Sequence, residues 1–205
     1  MLAGNLQTEF IDPQTRELEA LGVEIRYGCE VAAVRLCDGR VAAVETRDGA
    51  ATTADAFALC TPFEVTRQWL DDGLYAADPE LGRLHYLEAQ PMAALHLRLR
   101  NPLPGLPREH LFFHASRYAL SAIEVGRLWG ESGTKPHISF ISSDYAPLRE
   151  VSEPKAKDLL FEEIRQYLPV TPADVTEWEI NPNVQVPLFI NTIGAWPNRP
   201  RGKTA

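Results

Sequence analysis

The hydrophobic and polar positions nearest the N-terminus follow the pattern of a short amphipathic helix. Asp12 and Pro13 suit an N-cap and the first helical position, because an aspartate side chain can accept a backbone N–H and proline has none to leave unpaired. Leu18 and Leu21 then fall on one helical face. Gly22 stands where a left-handed residue ends many helices. The pattern therefore predicts a helix that stops at Gly22.

Short β-rich runs separated by tight-turn signals follow this helix. They cover residues 23–28, 31–36, 41–46 and 55–60, with turn pairs at Asp38-Gly39 and Asp48-Gly49. An Asp-Gly pair between two β-rich runs is typical of a hairpin. We therefore predict a three-stranded β-meander in this part of the chain. The last run, residues 55–60, is expected to be a buried strand that leads into Thr61 and Pro62.

The rest of the chain favours an antiparallel sheet with flanking helices. Residues 92–100 alternate between leucines and polar side chains, as in a half-buried strand. Further β-rich runs cover residues 111–114, 118–125, 137–142 and 175–180. A short helix is expected over residues 63–70, and Ser152 is expected to cap a longer helix that ends before Pro169. The predicted fold class is therefore α+β (mixed α/β).

Composition narrows the class of protein. The 205 residues include 20 Lys and Arg against 28 Asp and Glu, a net charge of −8, which argues against a nucleic-acid binder because phosphate neutralisation needs a basic face. No apolar run approaches the roughly 20 residues that span a bilayer, and no signal peptide is recognisable. The three cysteines lack metal-ligand spacing. These features predict a cytoplasmic protein with free thiols.

Candidate catalytic groups do not form a recognisable constellation. His110 and His114 have a spacing of four residues, but in the strand predicted there their side chains would lie about 13 Å apart. No third ligand accompanies them, so we expect no metal site. The chain also contains no nucleophile elbow and no phosphate-binding GxGxxG or GxxxxGKS/T motif. No catalytic residue can be assigned from residue types and spacing.

One stretch of the chain has a more specific pattern. Within residues 4–62 the sequence contains Leu21-Gly22-Val23-x-Ile25-x-x-Gly28-x-Glu30-Val31, then Asp38-Gly39-x-Val41, then Ala54-Asp55-x-x-x-Leu59-Cys60-Thr61-Pro62. This order closely resembles the second FAD-binding segment of flavoproteins of the amine oxidase and phytoene desaturase type. Residues 191–200 resemble the approach to the C-terminal FAD motif of that family. The N-terminal Rossmann motif and the C-terminal motif itself are absent, so we interpret the chain as an internal fragment of a larger flavoenzyme.

The resemblance implies a division of the chain and a set of cofactor-binding residues. Residues 1–62 would be part of the FAD-binding domain, residues 63–185 the substrate-binding domain, and residues 186–205 a return segment. The backbone of Val31 would meet the adenine ring, with Glu30 beside it. Thr61 and Pro62 would lie beside the cofactor at the exit strand. FAD is implied for the complete parent protein, and this chain alone is not expected to retain it.

The resemblance also implies an activity. Amine oxidases of this family usually carry a lysine at the position that Ala94 occupies here. Its absence favours the desaturase-like branch, which transfers hydride between an apolar, isoprenoid- or carotenoid-like substrate and the flavin. The remaining alternatives are an amine oxidase-type flavoenzyme, a stand-alone ligand-binding module, and a remnant without flavin. The expected partners are a small apolar substrate and the missing Rossmann half, and peripheral membrane contact stays open.

Overall fold

The computed structural model describes residues 4–107, 109–130, 135–190 and 192–201. It confirms the mixed α/β class, with one three-stranded and one five-stranded sheet. The chain divides into two compact units. The meander unit contains Glu24–Ala89 and Phe189–Ala205, and the sheet unit contains Met1–Val23 and Gln90–Leu188. Asn191, which opens the second family-like segment, lies outside the described residues.

The meander unit is built on three antiparallel strands in sequential order. These are β1 (Val31–Cys37), β2 (Arg40–Thr46) and β3 (Ala51–Thr53). Asp38 and Gly39 join the first two strands with φ values of 50° and 74°. Positive φ at both central residues is what a type I′ hairpin turn requires. The predicted meander and its first turn are therefore confirmed.

The third strand is not the one that the sequence predicted. Ala51 pairs with Glu45 directly after the Asp48-Gly49 turn, so β3 occupies the edge of β2. Residues 55–60, predicted as a buried strand, are irregular and largely exposed, and residues 23–28 are not a strand either. Both predictions were wrong because a strand needs a hydrogen-bonded neighbour. Among the described residues neither segment has one.

Two helices in the meander unit begin at aspartate caps. Helix α2 (Phe63–Trp69) confirms the predicted short helix and is followed by α3 (Asp72–Ala77) and a 3₁₀ helix (Pro79–Tyr86). The Asp71 carboxylate accepts a hydrogen bond from Leu74 N at 2.9 Å, and the Asp78 carboxylate accepts one from Glu80 N at 2.9 Å. These bonds satisfy N–H groups that the first turn of a helix leaves unpaired.

The N-terminal helix α1 (Asp12–Ala20) ends as predicted but begins differently. A π-helical turn, Gln7–Ile11, runs directly into it, so Asp12 lies inside helical backbone and is not its N-cap. Gly22 has a φ of 83°, and Val23 N donates to Leu18 O at 3.0 Å. This left-handed ending confirms the role predicted for Gly22. No side chain of α1 is buried.

The larger sheet has the strand order β5-β6-β7-β4-β8. The strands are β4 (Glu88–Leu99), β5 (Leu111–Phe112), β6 (Leu120–Glu124), β7 (His137–Ser142) and β8 (Val175–Ile190). Helix α4 (Val125–Leu128) follows β6, and α5 (Glu153–Tyr167) confirms the long helix expected after Ser152. Short 3₁₀ helices are Ala146–Leu148, Pro172–Asp174 and Trp196–Asn198.

One face of this sheet belongs to the main hydrophobic core. Leu95 pairs with Phe140 and Leu97 pairs with Ile138 across β4 and β7, and all four side chains are at most 1% exposed. Leucine and isoleucine side chains of α5 belong to the same cluster. Because neighbouring residues of a strand point to opposite faces, the residues between these leucines form the other face. We call that other surface the outer face.

A buried polar contact closes the turn between β5 and β6. Glu163 of α5 is 6% exposed, and its carboxylate accepts a hydrogen bond from the Ser116 hydroxyl. The same hydroxyl oxygen accepts a bond from Leu120 N at 2.8 Å. Ala115 and Ala119 have φ values of 55° and 48°. This left-handed conformation is unfavourable for alanine, because its Cβ approaches the following carbonyl oxygen. Helix α5 therefore stabilises a strained turn.

The alternation along β4 leads to a stability prediction. Leu97→Ala should lower the free energy of unfolding by about 2–5 kcal/mol, because it removes a fully buried side chain and leaves a cavity. Leu188→Ala, at a position on β8 that is 49% exposed, is the matched control and should change it by less than about 0.5 kcal/mol. Urea unfolding followed by circular dichroism measures both. Equal losses in the two variants would contradict the assigned core.

Candidate functional site

A cleft of about 400 Å³ in the meander unit brings together three of the four residues predicted to bind the cofactor. Glu30, Val31 and Thr61 line it. We call it the Glu30 cleft. Pro62 adjoins Thr61 in sequence but is not among the lining residues. Whether these residues bind a cofactor stays a prediction, but the fold places the first three in one concave site.

The first wall of the Glu30 cleft is the opening of β1. Gly28 has a φ of 70°, which turns the chain before Glu30 and Val31 begin the strand. Arg47 N donates to Glu30 O at 2.9 Å, and the Arg47 guanidinium pairs with the Glu30 carboxylate at 2.9 Å. Both side chains are more than half exposed, so the ion pair contributes little to stability. Its charged groups are therefore accessible to a ligand in the cleft.

The opposite wall is the start of α2. The hydroxyls of Thr61 and Thr66 share a hydrogen bond at 2.8 Å, which fixes Thr61 against the helix. Pro62 O accepts bonds from Val65 N and Thr66 N, both at 3.0 Å. Pro62 therefore starts the helix, which is a structural role. It positions Thr61 and Val65 at the cleft.

Three of the lining residues that the sequence did not indicate carry polar or aromatic groups. Arg47, Gln68 and Trp69 complete the Glu30 cleft with a guanidinium, an amide and an indole. Arg47 could have been found from the hairpin register, since Val31 pairs with Thr46 and Arg47 follows it. Gln68 and Trp69 lie on α2, and no pattern in the sequence indicates which turn of that helix meets β1. Together the three residues offer polar donors and a flat aromatic wall.

A second, larger cavity of about 610 Å³ lies in the same unit, and Thr61 lines it as well. Its walls are mostly apolar and include Val34, Val41 and Leu84. Arg199 also lines it, with its guanidinium 5.4 Å from the ring centroid of Phe189. The cavity thus combines an apolar interior with a cation held over an aromatic ring. Such a site suits an apolar group that carries negative charge.

The sheet unit has a polar cleft of about 220 Å³ on its outer face. We call it the imidazole cleft, because His96 and His137 line it with their rings 5.4 Å apart. Arg98 and Glu177 lie beside them, with their charged groups 3.9 Å apart. Burial lowers the pKa of His96 below its ordinary value, and the carboxylate of Glu179 opposes part of that shift. Burial therefore favours the uncharged form of His96.

Two further expectations concern the lysine that Ala94 replaces and a metal site at the histidines. Ala94, where the resembled amine oxidases carry a lysine, pairs with Ile141 and lies two residues before His96 on the outer face. Among the described residues no three His, Cys, Asp or Glu side chains form a metal-ligand cluster. The His110 ring packs against the Phe112 ring, with centroids 4.4 Å apart.

Within the described part of the chain, no helix combines the length and apolarity needed to cross a bilayer.

Sequence comparison identifies the family. A profile of the flavin-containing amine oxidoreductases matches residues 4–204. The chain belongs to this family. A search of curated proteins gives no significant match.

Solved structures share the fold at low sequence identity. An oxidoreductase from Methanosarcina mazei is 18% identical, with a TM-score of 0.63 over 84% of this chain and 41% of its own. A putative protoporphyrinogen oxidase from Exiguobacterium sp. is 18% identical, with a TM-score of 0.64 over 89% and 40%. A variant of putrescine oxidase is 13% identical, with a TM-score of 0.64 over 84% and 38%. The chain thus spans about two fifths of their length.

The lining of the Glu30 cleft fits part of the flavin cofactor that the family description names. Trp69 offers a flat wall, and Thr61, Gln68 and Arg47 offer hydrogen-bond donors to the nitrogen edge of a heteroaromatic ring. A pyrophosphate needs backbone N–H groups at a glycine-rich turn before a helix. The chain contains no such motif. The cleft residues therefore suit a heteroaromatic ring, and no diphosphate-binding motif accompanies them in the sequence.

The environment of His96 leads to a pH prediction. Because burial lowers its pKa, His96 should titrate below the ordinary value of a histidine, and Glu179→Gln should lower its pKa further. The stability linked to His96 is present above its ordinary pKa and is lost as the pH falls through the folded-state value. NMR titration of the imidazole protons measures these pKa values. An unchanged His96 pKa in Glu179→Gln would contradict this electrostatic coupling.

Proposed function

We propose that this chain forms the substrate-binding part and a portion of the FAD-binding part of an FAD-dependent oxidoreductase. The reaction is hydride transfer between an apolar, isoprenoid- or carotenoid-like substrate and the flavin. The family match over residues 4–204 is the observation that carries the proposal. The flavin, when bound, accepts or returns the electron pair, and the protein supplies binding, orientation and a dry site.

The Glu30 cleft supports the cofactor part of the proposal. Val31 and Thr61 come from segments thirty residues apart in sequence, yet both line one cleft with Glu30. We infer that the Val31 backbone and Thr61 contact the nucleoside of FAD, and that Glu30 and Pro62 hold these two segments in place. Thr61 also lines the larger cavity, which Arg199 lines as well. The cofactor-binding residues would thus extend from Glu30 to the return segment.

The outer face of the sheet supports an apolar substrate. Ala94, Ile141, Ser121 and Phe112 form one row across four neighbouring strands. Phe112 is 72% exposed, which is unusual for a phenylalanine unless another molecule covers it. An apolar substrate lying along this row would cover Phe112 and the half-buried Ala94 and Ile141. This row is therefore our candidate substrate surface.

The proposed partner is the Rossmann half of the parent chain. Apolar side chains of α1 and its flanks are exposed, among them Phe10 at 46%, Leu18 at 42% and Leu21 at 75%. The solved structures that share the fold are more than twice as long as the matched region. We propose that the rest of such a protein covers these side chains. A cytoplasmic location, with peripheral membrane contact during uptake of a lipidic substrate, belongs to the same proposal.

A second candidate function, amine oxidation, is favoured by the imidazole cleft. Glu177 and Glu179 provide carboxylates there, and the His96 imidazole provides a further acceptor. Such a set suits a protonated amine. The two candidates are separable with the flavin-loaded parent protein under anaerobic conditions. Bleaching of the flavin by putrescine but not by the polyene phytoene would favour amine oxidation, and the reverse would favour the apolar substrate.

The first test concerns cofactor retention. The 205-residue chain alone should purify colourless, and added FAD should leave its thermal midpoint unchanged, because it lacks the diphosphate site. The full-length parent polypeptide should purify yellow. If the parent protein were colourless and FAD did not stabilise it, the flavin proposal would be abandoned. The stand-alone ligand-binding module or the remnant without flavin would then take its place.

The second test concerns the Glu30 cleft in the flavin-loaded parent protein. Ala32 lines the cleft, so Ala32→Trp should fill it and weaken FAD binding at least about tenfold, or 1.4 kcal/mol. Ala51→Trp is the matched control, since Ala51 is exposed on the same sheet and lines no part of the cleft. Fluorescence titration of the apoprotein with FAD measures both affinities. Equal affinities in the two variants would place the nucleoside elsewhere.

A further inference from the structure

The two histidines of the imidazole cleft lie on neighbouring strands of the outer face. On β4 and β7, His96 pairs with Ser139 and Arg98 pairs with His137, so the two histidines are diagonal neighbours. Their facing nitrogens, His96 Nδ1 and His137 Nε2, are 3.4 Å apart, and their ring planes differ by 53°. The pairing register of the two strands fixes this juxtaposition, and both residues lie within the sheet unit.

The separation of the two nitrogens matches the distance between two nitrogen ligands of one tetrahedral metal ion. Nitrogen–metal bonds of about 2.0–2.1 Å at a tetrahedral angle place two imidazole nitrogens about 3.3–3.4 Å apart. A direct hydrogen bond from nitrogen is usually shorter, about 2.7–3.2 Å. The observed 3.4 Å is therefore long for a bond between the rings and suitable for one ion between them.

We propose that His96 and His137 together bind one divalent transition-metal ion of the Zn²⁺, Cu²⁺ or Ni²⁺ class. Each imidazole then keeps its proton on its other ring nitrogen and directs a lone pair at the ion. Among the described residues no third His, Cys, Asp or Glu completes a ligand cluster, so water fills the other positions. The cleft volume of about 220 Å³ leaves room for several water molecules.

The charges around the pair are compatible with a cation. His96 and His137 themselves add no fixed formal charge when their imidazoles are neutral, the form that binds a metal ion. Glu179 and Glu177 line the same cleft and offset the charge of the ion through its water ligands. Arg98 and Lys135 oppose binding, but both pair with Glu177, at 3.9 Å and 3.6 Å. Glu179 is then the carboxylate that offsets the charge of the ion.

The type of ligand determines the class of metal. Imidazole suits Zn²⁺, Cu²⁺ and Ni²⁺, whereas Mg²⁺ and Ca²⁺ require mainly oxygen ligands. Two protein ligands leave exchangeable positions, as in an open site. Ala94 lies two residues from His96 on the same face, so a bound ion would lie beside the proposed substrate surface. The metal proposal needs no flavin and stands independently of the proposed function.

The test uses the 205-residue chain with its three exposed cysteines changed to serine, because free thiols also bind these metals. Cu²⁺ titration is followed by tryptophan fluorescence, since Trp178 lines the cleft and bound Cu²⁺ quenches a nearby indole. Zn²⁺ titration is followed by calorimetry. His96→Gln and His137→Gln should each weaken binding at least tenfold, and His114→Gln is the matched control. Mg²⁺ should give no signal.

Each outcome decides the proposal. Saturable binding of one ion per chain that is lost in His96→Gln and His137→Gln, but kept in His114→Gln, supports it. Absence of binding, or equal binding in all three variants, overturns it. Circular dichroism shows whether each variant is folded. Should His137→Gln unfold the sheet, loss of Cu²⁺ quenching in folded His96→Gln, with normal quenching in His114→Gln, keeps the test decisive.

Discussion

The pleat of strand β4 is the constraint on which most of the sheet unit depends. Because successive side chains point to opposite faces, Leu95, Leu97 and Leu99 enter the core while Ala94, His96 and Arg98 must occupy the outer face. A shift of the register by one residue would exchange the two sets and place charges in the core. The same alternation therefore fixes the hydrophobic core and the chemistry of the exposed surface.

The meander unit obeys a different constraint, which is the tightness of its turns. Asp38 and Gly39 adopt positive φ, so β1 and β2 pair with little freedom in register. That register sets Arg47 beside Glu30. The Glu30 cleft is thus shaped on one side by hairpin geometry and on the other by Thr61 at the start of α2. Neither wall depends on a large hydrophobic core, and β1 buries only Val34.

Local patterns could be read from the sequence, whereas long-range pairing could not. The Asp-Gly turn at residue 38, the end of α1 at Gly22 and the alternation in β4 all follow from neighbouring residues, and all three are confirmed. Residues 55–60 were wrongly expected to be a strand, because their β-rich composition says nothing about which strand lies alongside. The His96–His137 contact was missed for the same reason, since it depends on the register of segments 41 residues apart.

Residues 56–60 have a consequence for how the molecule behaves in water. Within the described chain no backbone hydrogen bond joins this segment to another residue, although it leads directly into Thr61. Its N–H groups must bond to solvent, because buried unpaired backbone groups are costly. Their amide hydrogens will therefore exchange with deuterium far faster than those of β1 and β2. The Glu30 cleft consequently joins a well-protected hairpin to a segment whose backbone remains hydrated until another strand lies beside it.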